Sequence, residues 1–168
     1  STNATNVGQH LLLKDWVPPD RGTGMSSVLR VGEMHSGRDF SDNHKSSYFL
    51  PVVVRLGTGD DAVWMIAAIN PDYWLSRMLR YKQSDADRFE LVRFDGRLLM
   101  SSDVDSSSQD FSFPELLPEI QRKEIGTHSG AWLTAYRSSS RYPFFVAVHV
   151  DRSFVLESWS DHFTSLLS

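Results

Sequence analysis

The sequence predicts an α+β fold, and three observations carry that prediction. Apolar runs rich in β-branched and aromatic residues are joined in pairs by short turn signals, the pattern of antiparallel hairpins. Capped amphipathic segments fall between hairpins instead of between single strands, so the strand–helix–strand rhythm of a parallel sheet is missing. The length, 168 residues with 40% apolar and 23% charged side chains, is that of one ordinary globular domain. A chain of that size buries roughly 70% of its unfolded surface and needs no covalent staple.

The elements follow in order. Residues 1–6 are small and polar and belong to no regular element. The triplet Leu11-Leu12-Leu13 is a short apolar element, and Pro18-Pro19 closes it with an extended connector. Residues 27–34 alternate and read as a strand; residues 35–47 have no period and read as a long loop of the kind that often carries function. Residues 48–56 and 62–69 form a hairpin across Gly57-Thr58-Gly59-Asp60-Asp61. Both runs are almost continuously apolar, which predicts central strands covered on both faces.

Asn70-Pro71-Asp72 is a helix start: a capping side chain, a proline suited to the first helical position, and an acid at the positive end of the dipole. The helix runs to about Lys82 with Leu75, Met78 and Leu79 on one face. A second hairpin turns at Asp95-Gly96, where both turn residues tolerate positive φ. Residues 101–110 are a polar acidic loop. Ser112-Phe113-Pro114-Glu115 fits a capping box before a short helix to about Lys123, made irregular by Pro118. Residues 126–130 read as a turn, and residues 131–137 and 143–150 as a third hairpin. A helix begins at Asp151, with Leu156, Trp159, Phe163 and Leu166 on one face. The sum is six or seven strands in the order βββ–α–ββ–α–ββ–α. Residues 1–27 form an extension or the remnant of a longer region, and residues 28–168 form the domain.

Composition excludes several functions. The chain has no cysteine, hence no disulfide scaffold, thiolate zinc site, iron–sulfur cluster or cysteine nucleophile. A net charge of −4 argues against a general grip on nucleic acid. The longest apolar runs, residues 48–54 and 62–69, are far short of the ~20 residues that span a bilayer. The six histidines (His10, His35, His44, His128, His149, His162) show no metal-ligand spacing, and His149 reads as a half-buried strand residue. No nucleophile elbow is present, Gly22-Thr23-Gly24 lacks the context of a nucleotide loop, and Asp103, Asp105 and Asp110 lack the glycine and terminal glutamate of a calcium loop. No cofactor is implied, and the domain is expected not to be an enzyme.

The aromatic residues point elsewhere. The chain has five Trp, five Tyr and ten Phe, and Trp64, Trp74, Trp132, Tyr48, Tyr73 and Tyr136 fall on or beside the apolar strands and first helix. They either fill the core or wall a small-molecule pocket with a few polar anchors. Arg55, near the end of an apolar strand, is suited to fork onto a ligand carboxylate. Tyr48, Trp64, Tyr73 and Tyr136 are candidate walls, Arg38 in the preceding loop is a second candidate, and Arg137 is of the same kind.

These residues also carry a resemblance. Gly37-Arg38, the run 48–55, the run 64–74 through Asn70-Pro71-Asp72-Tyr73-Trp74, the hairpin Phe94-Asp95-Gly96-Arg97-Leu98-Leu99 and the closing runs 135–138, 142–148 and 155–159 occur in the order and spacing of a known family. They resemble the extracytoplasmic Cache (PDC, PAS-like) sensor domains that precede diguanylate cyclase (GGDEF) or cyclic-di-GMP phosphodiesterase (EAL) modules in bacterial signalling proteins. The resemblance covers about residues 28–163; the long N-terminal helix of such domains is not evident in the first 27 residues, and the amino-acid-binding motif of one subfamily cannot be laid down in full. It implies a PAS-like/Cache fold, a central antiparallel sheet of five to seven strands with flanking helices. It also implies a periplasmic location between membrane helices, a homodimer, a small ligand such as a carboxylate or amino acid, and a terminal helix leading to the membrane. A ligand-free dimerisation module, with Trp159 and Phe163 as the working surface, is the alternative. A cytoplasmic PAS-like cofactor domain or a small hydrolase is a third reading, without a motif to support it.

Overall fold

A computed structural model describes residues 16, 29–37, 48–57, 63–103 and 110–156. Leu11–Leu13, Arg38, Asp105, and the Trp159, Phe163 and Leu166 face lie outside these residues. The fold is α+β, with antiparallel sheets of four and five strands and a few short helices. The chain divides into two compact units, Ser1–Leu75 with Ser140–Pro143, and Ser76–Ser139 with Phe144–Ser168.

The first unit is built on β3 (Tyr48–Leu56). It pairs along its length with β4 (Val63–Ile69), from Leu50↔Ile69 to Leu56↔Val63. Its other edge takes β1 (Arg30–Val31), because Val52 and Val53 pair with both β1 and β4. β2 (His35–Ser36) pairs with the start of β3 through His35↔Phe49. The strand expected over residues 27–34 is therefore only two residues long among the described ones, and a second short strand stands where a loop was expected. Gly32 marks the break: its N–H donates to the Pro51 carbonyl at 2.8 Å, and a Cβ there would run into Pro51 and the Trp16 carbonyl.

The expectation of two central strands is half met. β3 buries Phe49, Leu50, Pro51 and Val53. β4 has no fully buried residue and, among the described residues, pairs with β3 alone.

α1 (Asp72–Leu79) starts as its sequence dictates, with the Asn70 Oδ1 accepting the Asp72 N–H at 2.8 Å. It stops three residues earlier than its pattern suggests. The Arg80 and Tyr81 N–H groups turn back to the Arg77 and Met78 carbonyls, which tightens the last turn.

The second unit is a five-stranded antiparallel sheet in the order β6-β5-β9-β8-β7. Its strands are β5 (Arg88–Arg93), β6 (Leu98–Ser101), β7 (Ile125–Ser129), β8 (Trp132–Ser138) and β9 (Phe144–Asp151). β7 occupies the segment read as a turn. Its Gly126 hides the strand pattern, and the glycine is required because a Cβ would collide with the ring of Tyr136 opposite.

The β5–β6 hairpin turns through Phe94-Asp95-Gly96 with positive φ at Gly96 alone, so it is a three-residue loop and not the expected pair of left-handed residues. Asp95 instead holds Arg93 with two hydrogen bonds of 2.9 and 2.8 Å.

One face of this sheet is covered by the segment from Asp110 to a 3₁₀ turn (Pro114–Leu116) and α2 (Leu117–Ile120). Phe111, Leu116 and Ile120 from this strap pack with Val92, Tyr136, Phe145 and Ala147 from the strands. The expected capping box is not made. Phe113 occupies the cap position without a side-chain hydrogen bond, and Pro118 divides the segment into two short turns. Asp151 does start a helical stretch, over residues 152–156, accepting both the Ser153 N–H and Oγ–H.

Candidate functional site

Cross-strand pairing sets the faces of the first unit's sheet. Residues directly opposite one another point the same way, and successive residues alternate. Arg55↔Trp64 and Val53↔Ile66 are opposite pairs, and Arg30 pairs with Val53, so all five share one face. At its end the Trp64 ring meets two guanidinium groups, Arg30 at 5.7 Å and Arg55 at 5.8 Å from the ring centroid. Each is within cation–π range. Further along the same face Phe49 stacks with Trp16 at 5.7 Å, and His35 lies 4.5 Å from the Trp16 ring. The face is thus cationic and aromatic at one end, aromatic at the other, and aliphatic between.

Of the residues expected from sequence, Arg55 and Trp64 are brought together here. Arg55 is exposed, at a strand end that faces water. Arg30 completes the cluster and was missed: it falls in the run 27–34 read as a strand, but only its pairing with Val53 brings it to Trp64. Tyr48 lies on the opposite face, seven positions from Arg55 on the same strand, and is 48% exposed. Tyr73 is 62% exposed on the first turn of α1, its ring edge-on to Trp74 at 6.1 Å. Tyr136 is buried in the core of the second unit. Arg38 lies outside the described residues. Arg137 is exposed on β8.

A second polar arrangement lies inside the second unit, and only His149 within it was singled out from sequence. Glu90 and His149 are both 1% exposed or less, not half-buried as the alternation suggested for His149. His149 Nε2 lies 3.4 Å from Glu90 Oε2, and its Nδ1 lies 2.9 Å from Thr134 Oγ1. At 3.4 Å the Glu90–His149 contact is close enough for charge attraction but is not a well-aligned hydrogen bond. Ser112 in the strap donates its Oγ–H and its N–H to the Glu90 carboxylate. Arg88 in turn donates to Ser112 Oγ at 2.9 Å and pairs with Asp103 at 2.9 Å. Burial pushes the Glu90 carboxyl up, but His149 and the Ser112 donors outweigh it and hold the group below its ordinary value. The Ser112 hydroxyl spent on Glu90 is the one expected to cap a helix. The arrangement ties the strap to the sheet. Among the described residues no three histidine, aspartate or glutamate side chains converge as a metal site. No helix among them is long and apolar enough to cross a membrane.

The fold and both arrangements can be set against known proteins. No family model matches the chain, and no curated relative does. Solved structures do. The extracellular domain assigned to histidine kinase rpHK1S-Z16 is 23% identical, with a TM-score of 0.59 over 79% of this chain and 57% of that one. That of histidine kinase vpHK1S-Z8 is 18% identical, with a TM-score of 0.51 over 84% and 57%. The ligand-binding domain of the Pseudomonas aeruginosa PAO1 amino-acid chemoreceptor PctB, solved with L-Gln, is 13% identical, with a TM-score of 0.50 over 84% and 60%. The chain therefore has the PAS-like, Cache-type α+β fold of extracellular sensor domains. It spans about 57% of the length of the two kinase domains.

Proposed function

We propose that this chain is part of the extracytoplasmic, ligand-sensing input region of a membrane-bound bacterial signalling protein. The observation that carries the reading is the Arg30–Trp64–Arg55 cluster on a fold shared with extracellular sensor domains. Two guanidinium groups beside one indole suit a small ligand with a carboxylate and a flat or apolar part, such as an organic acid or amino acid. Arg55 is the anion anchor, Trp64 the wall and Arg30 the second cation; Tyr48, Tyr73 and Arg38 are peripheral candidates. Tyr136, packed in the second unit's core, is assigned a structural role. The sequence resemblance further supports a periplasmic domain over residues 28–168, with residues 1–27 an N-terminal extension or the remnant of a longer sensor region. It also supports a homodimer and a cytoplasmic output that controls cyclic-di-GMP turnover. The domain itself binds and does not catalyse; ligand binding acts by favouring one of two packings.

A thermal-shift screen of the chain against carboxylates and amino acids tests this. A ligand at one hundred times its Kd adds ~2.7 kcal/mol, a shift of several degrees. Arg55→Ala should abolish the shift while leaving the unliganded melting temperature within about 2 °C, since exposed substitutions cost ~0.5 kcal/mol or less. A screen without hits, or a hit indifferent to both Arg55→Ala and Arg30→Ala, removes the assignment.

A further inference from the structure

Two consecutive residues of the strap grip the two titratable side chains that lie deepest in the second unit. Ser112 donates its N–H and its Oγ–H to the buried Glu90 carboxylate. The Phe113 ring lies 4.6 Å from the ring of the buried His149, with the Phe111 ring at 5.9 Å. Here the strap meets the sheet through an amide, a hydroxyl and two rings, all directed at one carboxylate–imidazole pair. Elsewhere it is fastened differently. At its start Asp110 pairs with Arg97 at 3.0 Å, but 72% of the Asp110 side chain is exposed, and such surface pairs contribute little. The Phe111 N–H donates to the Gly96 carbonyl at 2.9 Å. Further on, Leu116 and Ile120 pack into the apolar core, and Ser138 Oγ donates to the Ile120 carbonyl at 3.2 Å.

From this grip we propose that Glu90 and His149 form an acid-sensitive latch on the strap: an ionised Glu90 holds residues 111–113 down, and a proton on Glu90 lets them lift while the sheet stays folded. A protonated carboxyl keeps its shape but loses the charge that strengthens its hydrogen bonds, and its new O–H meets a strap residue that already points two donors at it. The other groups around Glu90 do not replace that charge. On β5, Arg88 is engaged with Ser112 and Asp103. β6 contributes Ser101, opposite Glu90 in the register. On β8, Thr134 is bonded to His149, and the Tyr136 ring lies against Gly126 of β7. His149 and Ser112 favour the charged form more than burial opposes it. Lifting the strap returns the carboxyl to water, where it binds its proton more readily, so acid favours the open form. One carboxyl changes the opening equilibrium by at most about tenfold per pH unit, between its folded and ordinary values. Above both values Glu90 makes it independent of pH.

Amide exchange of the whole chain, followed by NMR, tests the latch. Each rate is divided by that of the same sequence unfolded at the same pH, which leaves the protection. The Phe111 and Ser112 amides should exchange faster than those of β9 at every pH, through local opening. Their protection should fall about threefold or more from about pH 6 to about pH 3, the effect of half a unit between the folded and ordinary pKa. In Glu90→Gln, which keeps the shape and loses the proton, the fall should shrink to about 1.5-fold or less. Ser112→Ala, at a half-buried position, is the second variant: it should loosen Phe111 already at pH 6 and reduce the fall in acid. Asp110→Asn, on the surface, should leave the fall in place. Strap and β9 amides that share one protection at every pH overturn the latch, because the strap then leaves only with the whole fold. So does a fall as steep in Glu90→Gln or Ser112→Ala as in the wild type, or one that Asp110→Asn abolishes. No ligand enters the measurement, so its result is separate from that of the anion site.

Discussion

Glu90 is a carboxylate in a place where carboxylates are costly, and two donors from Ser112 and the His149 imidazole favour its charged form. Its held-down pKa fixes the sign of a pH effect. A group that binds its proton less readily when folded adds stability above the ordinary carboxylate value. That stability is lost as the pH falls through the lower, folded value. The contribution is complete at neutral pH, begins to shrink as the pH reaches the ordinary carboxylate range, and is gone only below the lower, folded value. Urea midpoints measured from pH 7 down to pH 3 should therefore fall more steeply in the wild type than in Glu90→Gln, which keeps the shape and loses the proton. Glu90→Ala leaves His149 and the Ser112 donors without their acceptor inside the core, and should cost ~3–5 kcal/mol at neutral pH. Gly126 makes a separate prediction. A Cβ there would come within 3.0 Å of the hydroxyl and two ring carbons of Tyr136. Gly126→Ala should cost ~1–3 kcal/mol in equilibrium unfolding, and Tyr136→Phe should not rescue it because the ring carbons remain.

Among the elements, those with strong local signals were legible in the sequence and those held by distant partners were not. Asn70-Pro71-Asp72 starts its helix where the residues say, and Asp151 starts another. β3, β4, β8 and β9 lie within a residue or two of their apolar runs. β7 was not legible, because Ile125-Gly126-Thr127-His128-Ser129 has the composition of a turn and becomes a strand only by lying against β8. Ser112 misled for the same reason: its spacing to Glu115 is that of a cap, while Glu90, twenty-two residues earlier, takes its hydroxyl. At the candidate site Arg55 and Trp64 were visible as a charge and an indole on paired strands. Arg30 was not, since its run shows a strand period but not which strand it pairs with, and only the Arg30↔Val53 pairing brings it to Trp64. The β5–β6 hairpin makes the prediction at this scale. Gly96 has φ of +88°, and a Cβ there would approach Leu117 within 2.9 Å. Gly96→Ala should cost ~1 kcal/mol or more, seen as an earlier urea midpoint with an unchanged m-value.

On the scale of the molecule, the division into two compact units separates two kinds of interior. The second unit closes on itself: five strands, a strap and an inner carboxylate with its partners. The first carries the guanidinium–indole cluster at one end of a face and large apolar side chains of β4 that are exposed. The prediction of a small anionic ligand falls on the first unit. The predictions about internal stability fall on the second. Ligand screening can thus be read against a core that it is not expected to disturb.

The placement of β9 limits how that strand can move. It lies between β5 and β8, paired over six residues with one and seven with the other, and it carries His149 into contact with Glu90 before running into the helical residues 152–156. A slip of one residue would break both ladders and turn His149 from the interior to the opposite face. The strand cannot act as a piston. Motion passed to the helix behind it has to be a tilt of the whole five-stranded sheet, as a door moves its hinge pin by swinging and not by sliding.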